Sequence, residues 1–120
     1  MSSTWTLRAT KLAPFVSVPF GFGAVHHLLA VASPDVADPS SPARHLVFVG
    51  VNALFAGLFG LRVKYTLFPA ILLAIQQTYS HGSAFLEARA HGAFDSESLA
   101  VLLFLPVVLV VAGALFRKPI

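Results

Sequence analysis

Charged positions in this chain are bunched, and long apolar runs separate them. Four windows carry no Asp, Glu, Lys or Arg: residues 12–34, 45–61, 65–86 and 98–116. A helix of roughly 17 to 25 apolar residues crosses the hydrocarbon core of a bilayer, and each window fits that length. None of them alternates apolar and polar residues as the strands of a membrane barrel do. The pattern predicts an all-α, integral membrane, four-transmembrane-helix bundle forming a single domain over residues 1–120. Its helices are expected at about 12–33, 44–62, 66–89 and 97–116.

The punctuation agrees with these windows. Pro14 falls near a helix start, where a missing N–H is harmless, and Pro19 with Gly21 and Gly23 is a place for a bend. Residues 33–44 (SPDVADPSSPAR) carry three prolines and three serines and read as an extended polar loop. In the second helix, Ala53 with Gly57 and Ala56 with Gly60 are small pairs four apart, the spacing that lets membrane helices approach closely. Asp95 or Ser96 is placed to cap the fourth helix, with Glu97 favourable at the positive end of its dipole. Pro106 interrupts that helix and frees a carbonyl one turn back.

Composition supports a lipid solvent. Hydrophobic residues make up 57% of the chain and charged residues 11%, about half the charged share of a soluble domain. Charge distribution then sets orientation. Arg8 and Lys11 precede the first helix, Arg62 and Lys64 join the second to the third, and Arg117 and Lys118 follow the fourth. Only Arg44 and Arg89 occupy the alternate loops, which hold all five acids: Asp35, Asp38, Glu87, Asp95 and Glu97. Basic residues in short loops stay on the cytoplasmic side, so both termini are expected to be cytoplasmic, in a cell or inner membrane. Trp5 and Tyr65 fall near that inner boundary, where amphipathic rings anchor. A net charge of +3 spread this way points to topology rather than to nucleic acid.

Arg8 and Lys11, an apolar run and then Ala30-Val31-Ala32 also have the features of a cleaved secretory signal. The run exceeds a usual signal core and is interrupted by Pro14, Pro19 and two histidines. The expectation is a retained first span.

With this orientation, all five histidines fall in the outer half. His26 and His27 lie just below the outer end of the first helix, His45 starts the second, His81 lies near the outer end of the third, and His91 is in the outer loop. Asn52 shares a face with His45, and Gln77 shares a face with His81, with Gln76, Tyr79 and Ser80 nearby. A polar belt across three helices is expected. Ionisable groups within a membrane mark a functional site by default, whereas neutral polar side chains there also serve as interhelical hydrogen-bond glue.

Neutral imidazole is the commonest metal ligand, and histidines on facing helices can hold a haem. The leading expectation is a b-type haem or a transition-metal ion held by His26 or His27 with His81, and with His45 for a bare ion. Arg44 and Arg89 are the outer cations available to propionates. There is no cysteine and one methionine, so zinc, Cu(II) or iron suits the site better than soft Cu(I). The alternatives are a non-catalytic accessory or assembly subunit of a larger membrane complex, a homo-oligomer, or a pocket for a quinone, lipid or other small hydrophobic ligand. In that pocket Asn52, Gln77 and Tyr79 would be the contacts. An enzyme is not favoured: HExxH is absent, no Ser/His/Asp set has supporting local context, and the spans lack the four acids of a di-iron bundle.

Overall fold

The computed structural model describes residues 3–33 and 42–118. Among these residues the structure is all-helical, without strands. Helix α1 is Thr4–Lys11, α2 is Ala13–Ala32 and α3 is Pro42–Gly60; a single 3-10 turn at Lys64–Thr66 leads into α4, Leu67–Ala90, and α5 is Ser96–Arg117. Asp35 and Asp38 lie outside the described residues. Among the described residues, three helical segments are long and apolar enough to cross a membrane: Thr4–Ala32, Pro42–Gly60 and Ser96–Arg117. Helix α4 is long enough at 24 residues, but its polar run from Gln76 to His81 lowers its mean hydropathy.

The chain divides into two compact units: Lys11–Val63, and residues up to Thr10 together with those from Lys64 onward. The first unit is the antiparallel pair α2–α3. Residues Ala13, Val16, Phe20, Gly23, His27 and Ala30 repeat at three- and four-residue intervals along α2, and all are buried or half-buried. On α3, His45, Phe48, Asn52, Phe55 and Phe59 keep the same rhythm. A seam that alternates three and four is the 3.5-residue period of coiled-coil packing, which keeps one stripe of each helix facing its neighbour. The Phe20 ring stacks on Phe55 at 5.2 Å and Phe59 at 5.8 Å between centroids. Gly23 lies directly against the Asn52 side chain, and His27 meets His45.

The second unit holds the antiparallel pair α4–α5, the 3-10 turn and the first residues of α1. On α5, Ser98, Val101, Leu105, Val108, Ala112 and Leu115 form a seam of the same spacing. Thr66, Ala70 and Ala74 are the buried positions at the start of the α4 segment. These are small residues, the class that lets helices approach closely.

Two helix ends are closed by the same device. After α4, Gly92 adopts φ +75°, Ala93 N–H donates to the Ala88 carbonyl at 2.8 Å and Gly92 N–H to Arg89 at 3.1 Å. After α3, Val63 N–H donates to Leu58 at 2.9 Å and Arg62 N–H to Phe59 at 3.1 Å. These are the paired bonds of a Schellman cap, in which the residue after the helix is left-handed. At the second cap that residue is Arg62, with φ +53°, and a side chain there costs about 1–2 kcal/mol that glycine avoids.

Of the small pairs read from the sequence, Ala53, Gly57 and Gly60 are exposed and Ala56 is half-buried; a Cβ on Gly57 would meet nothing, and one on Gly60 would reach only Ser17 at 3.8 Å. The close approach is at Gly23 instead. Replacement of Gly23 by Ala should displace Asn52 and destabilise the α2–α3 pair by about 1–3 kcal/mol. Gly21→Ala, in open space two residues earlier, should be neutral or stabilising by up to about 1 kcal/mol. Thermal unfolding of both variants in the same detergent checks this; equal effects would contradict the seam assignment.

Candidate imidazole pair and the His81–Ser98–Asp95 relay

His27 lies five residues before the end of α2, and His45 lies in the first turn of α3. In an antiparallel pair these positions are level. Their Nδ1 atoms are 3.0 Å apart, so one ring donates its N–H and the other accepts. His45 is almost fully buried, with 2% exposure, and His27 is half-buried. Phe48 packs beside the pair: its ring stacks against His27 at 5.3 Å, and the Arg44 guanidinium lies over the same ring, 5.7 Å from the centroid. His26 is exposed, its ring 5.3 Å from that of His27 in an edge-on arrangement. Adjacent helix positions differ by about 100°, which is why only one of the two enters the seam.

Asn52, one turn further along the same face, donates its amide to the Phe48 carbonyl at 2.8 Å. The hydrogen-bonding capacity that the sequence offered to a ligand is thus partly used within α3.

His81 belongs to the other unit. Its Nδ1 lies 3.0 Å from the Ser98 hydroxyl. Ser98 is buried at the start of α5, where its backbone N–H donates to the Asp95 carboxylate at 3.0 Å, making Asp95 the N-cap. The Asp95 carboxyl is held below its ordinary value, first by the Ser98 hydroxyl, then by the Ser98 backbone N–H, with a smaller contribution from His81. The Ser98 hydroxyl and the His81 Nδ1 share one hydrogen bond, whose donor is set by the tautomer of the ring.

This places a serine, a histidine and an aspartate together, but in an order unsuited to acyl transfer. In a hydrolytic triad the carboxylate orients the imidazole, which takes the serine proton. Here the serine lies between the other two, bonded to the imidazole through its hydroxyl and to the carboxylate through its backbone N–H. The set ties α4 to α5.

The remaining residues named from sequence fall as follows. Gln77 donates to the side chain of its neighbour Gln76. Tyr79 is 79% exposed and lines a shallow apolar groove with Ile71, Ile75 and Leu109. Arg89 is exposed in the last turn of α4. His91 caps that helix, its Nδ1–H donating to the Glu87 carbonyl at 2.9 Å. His27 and His45, both among the expected ligands of a bare ion, are in contact; His81, expected opposite His26 or His27, belongs to the other unit. Phe48 and Ser98 enter as partners the sequence did not point to, and Asp95, expected as a helix cap, is linked to His81 through Ser98. The signal for Phe48 is its spacing, three after His45 and four after Arg44. Among the described residues, no three His, Asp or Glu side chains converge as a metal site.

Comparison with protein-family models, curated proteins and solved structures gives no match to this chain, so its functional reading rests on these side chains.

The depressed Asp95 carboxyl makes the α4–α5 contact acid-sensitive. A carboxylate with a lowered folded value stabilises the fold above its unfolded value, about 3.9, and that contribution disappears as pH falls through the folded value. The melting temperature of the wild-type chain should therefore drop more between about pH 5 and pH 3 than that of Asp95→Asn. Parallel pH profiles for the two proteins would contradict the relay.

Proposed function

We propose that this chain is a multi-pass membrane protein that crosses the bilayer four times, with both termini cytoplasmic, and binds a divalent transition-metal ion on His27 and His45. Four crossings are supported by the lengths of the helices and by the antiparallel pairing of α4 with α5, whose 24 and 22 residues would share one slab. The basic residues at 8–11, 62–64 and 117–118 give the orientation. The imidazole pair then lies near the outer face.

The observation that carries the metal reading is the 3.0 Å separation of two imidazole nitrogens from different helices. Two nitrogens at roughly 2.0–2.1 Å from one ion lie about 2.9 Å apart at right angles and about 3.4 Å apart at the tetrahedral angle. A square-planar Cu(II) or a tetrahedral zinc ion fits with small ring rotations. With two protein nitrogens, the other positions belong to water or to an incoming ligand, an open site rather than a closed structural one. The separation favours a bare ion over a b-type haem between these two rings, because axial haem ligands stand on opposite faces of the macrocycle and a direct contact leaves no room for it.

Titration of the purified, metal-free protein with Cu(II) or zinc chloride should show one site per chain. His27→Ala and His45→Ala should each weaken it by more than the roughly tenfold that loss of an outer-shell partner costs, and His91→Ala should leave it unchanged. If the double variant His27→Ala/His45→Ala binds as tightly as wild type, the pair is only a hydrogen bond between helices.

A further inference from the structure

The second unit carries a feature that the imidazole site does not use. At the C-terminal end of α5, the Arg117 guanidinium lies over the ring of Trp5 on α1, 5.5 Å from its centroid. Trp5 and Arg8 are three apart on α1 and share a face. Phe116 meets Phe68 at 5.5 Å and Tyr65 at 6.4 Å between ring centroids, which brings the 3-10 turn with Lys64 to the same end. Arg8, Lys64, Arg117 and Lys118 thus gather around Trp5 and Tyr65, two exposed amphipathic rings.

Among the described residues of this unit, no acidic side chain lies at this end. The unit's acids, Glu87, Asp95 and Glu97, lie at or beyond the other ends of α4 and α5. Glu97 and Arg117 are 20 residues apart on one helix, about 30 Å, well beyond the roughly 8–10 Å over which salt leaves exposed charges coupled. The negative end of the α5 dipole accounts for a basic residue in its last turn but not for four cations from three segments.

We propose that this basic, aromatic end binds the phosphodiester headgroup of an anionic phospholipid. Clusters of Lys and Arg beside the cytoplasmic end of a membrane helix attract acidic lipids, and tryptophan and tyrosine settle at headgroup depth. The cation–π contact holds Arg117 in place before a lipid arrives, and a guanidinium recognises phosphate in bidentate fashion. This inference rests on the membrane reading but not on the metal site.

Trp5 is the one tryptophan of the chain, so its fluorescence reports on this end alone. The full-length protein is reconstituted in phosphatidylcholine vesicles containing a minor fraction of phosphatidylglycerol, with bromine on the acyl chains of one lipid or the other. Brominated phosphatidylglycerol should quench Trp5 more strongly than an equal mole fraction of brominated phosphatidylcholine, and the difference should shrink at high salt. Arg8→Gln and Arg117→Gln should each weaken the preference about five-fold, and Arg117→Lys should retain most of it. Soluble glycerol phosphate should not relieve the quenching; relief would assign the site to free phosphate and overturn the lipid proposal. Equal quenching by both lipids, insensitive to salt in the wild-type chain, would overturn the headgroup preference alone. Absence of quenching by either would overturn the membrane reading itself.

Discussion

The constraint on which the rest depends is that a backbone surrounded by hydrocarbon must satisfy its own hydrogen bonds. Helices do this locally, and charges are then confined to their ends. The surface follows the same rule. Phe15 and Phe22 are each 72% exposed and Leu72 is 70% exposed, an arrangement that water penalises and lipid does not. The interior is correspondingly modest. Ala13, Ala70, Ala74, Ala112 and Ala114 are among its buried residues; for helices in an apolar solvent, the gain comes from close contact rather than from hiding greasy side chains.

Polar groups in such pairs are placed by the same seams. His27 and Asn52 occupy positions in the three-four repeat of α2 and α3 where an apolar residue would otherwise stand, and each has a partner: His45 for the first, the Phe48 carbonyl for the second. Ser98 does the same on α5, taking part in the N-cap and in the contact to His81. Each unit therefore has one imidazole-based tie between its helices, made with different chemistry. The tie of α4–α5 runs from an imidazole through Ser98 to a carboxylate. The tie of α2–α3 is two imidazoles, the same two-nitrogen geometry that a metal ion needs.

The helical class was legible in the sequence because charge-free runs of bilayer length have few alternatives. Helix α1 was not, since Thr4, Thr6, Thr10 and Arg8 make it polar and it adds a turn and more before the first apolar window. Its signal was available in Trp5 and Arg8, spaced for one helix face. The contact of His27 with His45 needs more than a depth to be read. Depth in the membrane groups residues into a slab, but only the seam says which of them touch. Reading α2 at intervals of three and four puts His27 rather than His26 in the seam and puts His45, Phe48 and Asn52 opposite. Spacing alone has the same limit for the small pairs: Ala53 and Gly57 stand four apart but lie off that stripe. Asp95 was foreseen as a helix cap from its residue type and position, whereas its link through Ser98 to His81 needs the pairing of α4 with α5, which no local pattern contains.

Because the chain has no cysteine, single introduced thiols report the sidedness of each helix end without background. Ser3, Ala43, Leu61, Ala93 and Lys118 are exposed positions at such ends, and each replaced by Cys in turn can be labelled with a membrane-impermeant maleimide on intact cells. Four crossings from the cytoplasm predict that only Ala43→Cys and Ala93→Cys react before permeabilisation, and that Ser3→Cys, Leu61→Cys and Lys118→Cys react after it. Labelling of Leu61→Cys and Ala93→Cys from the same side would contradict the account.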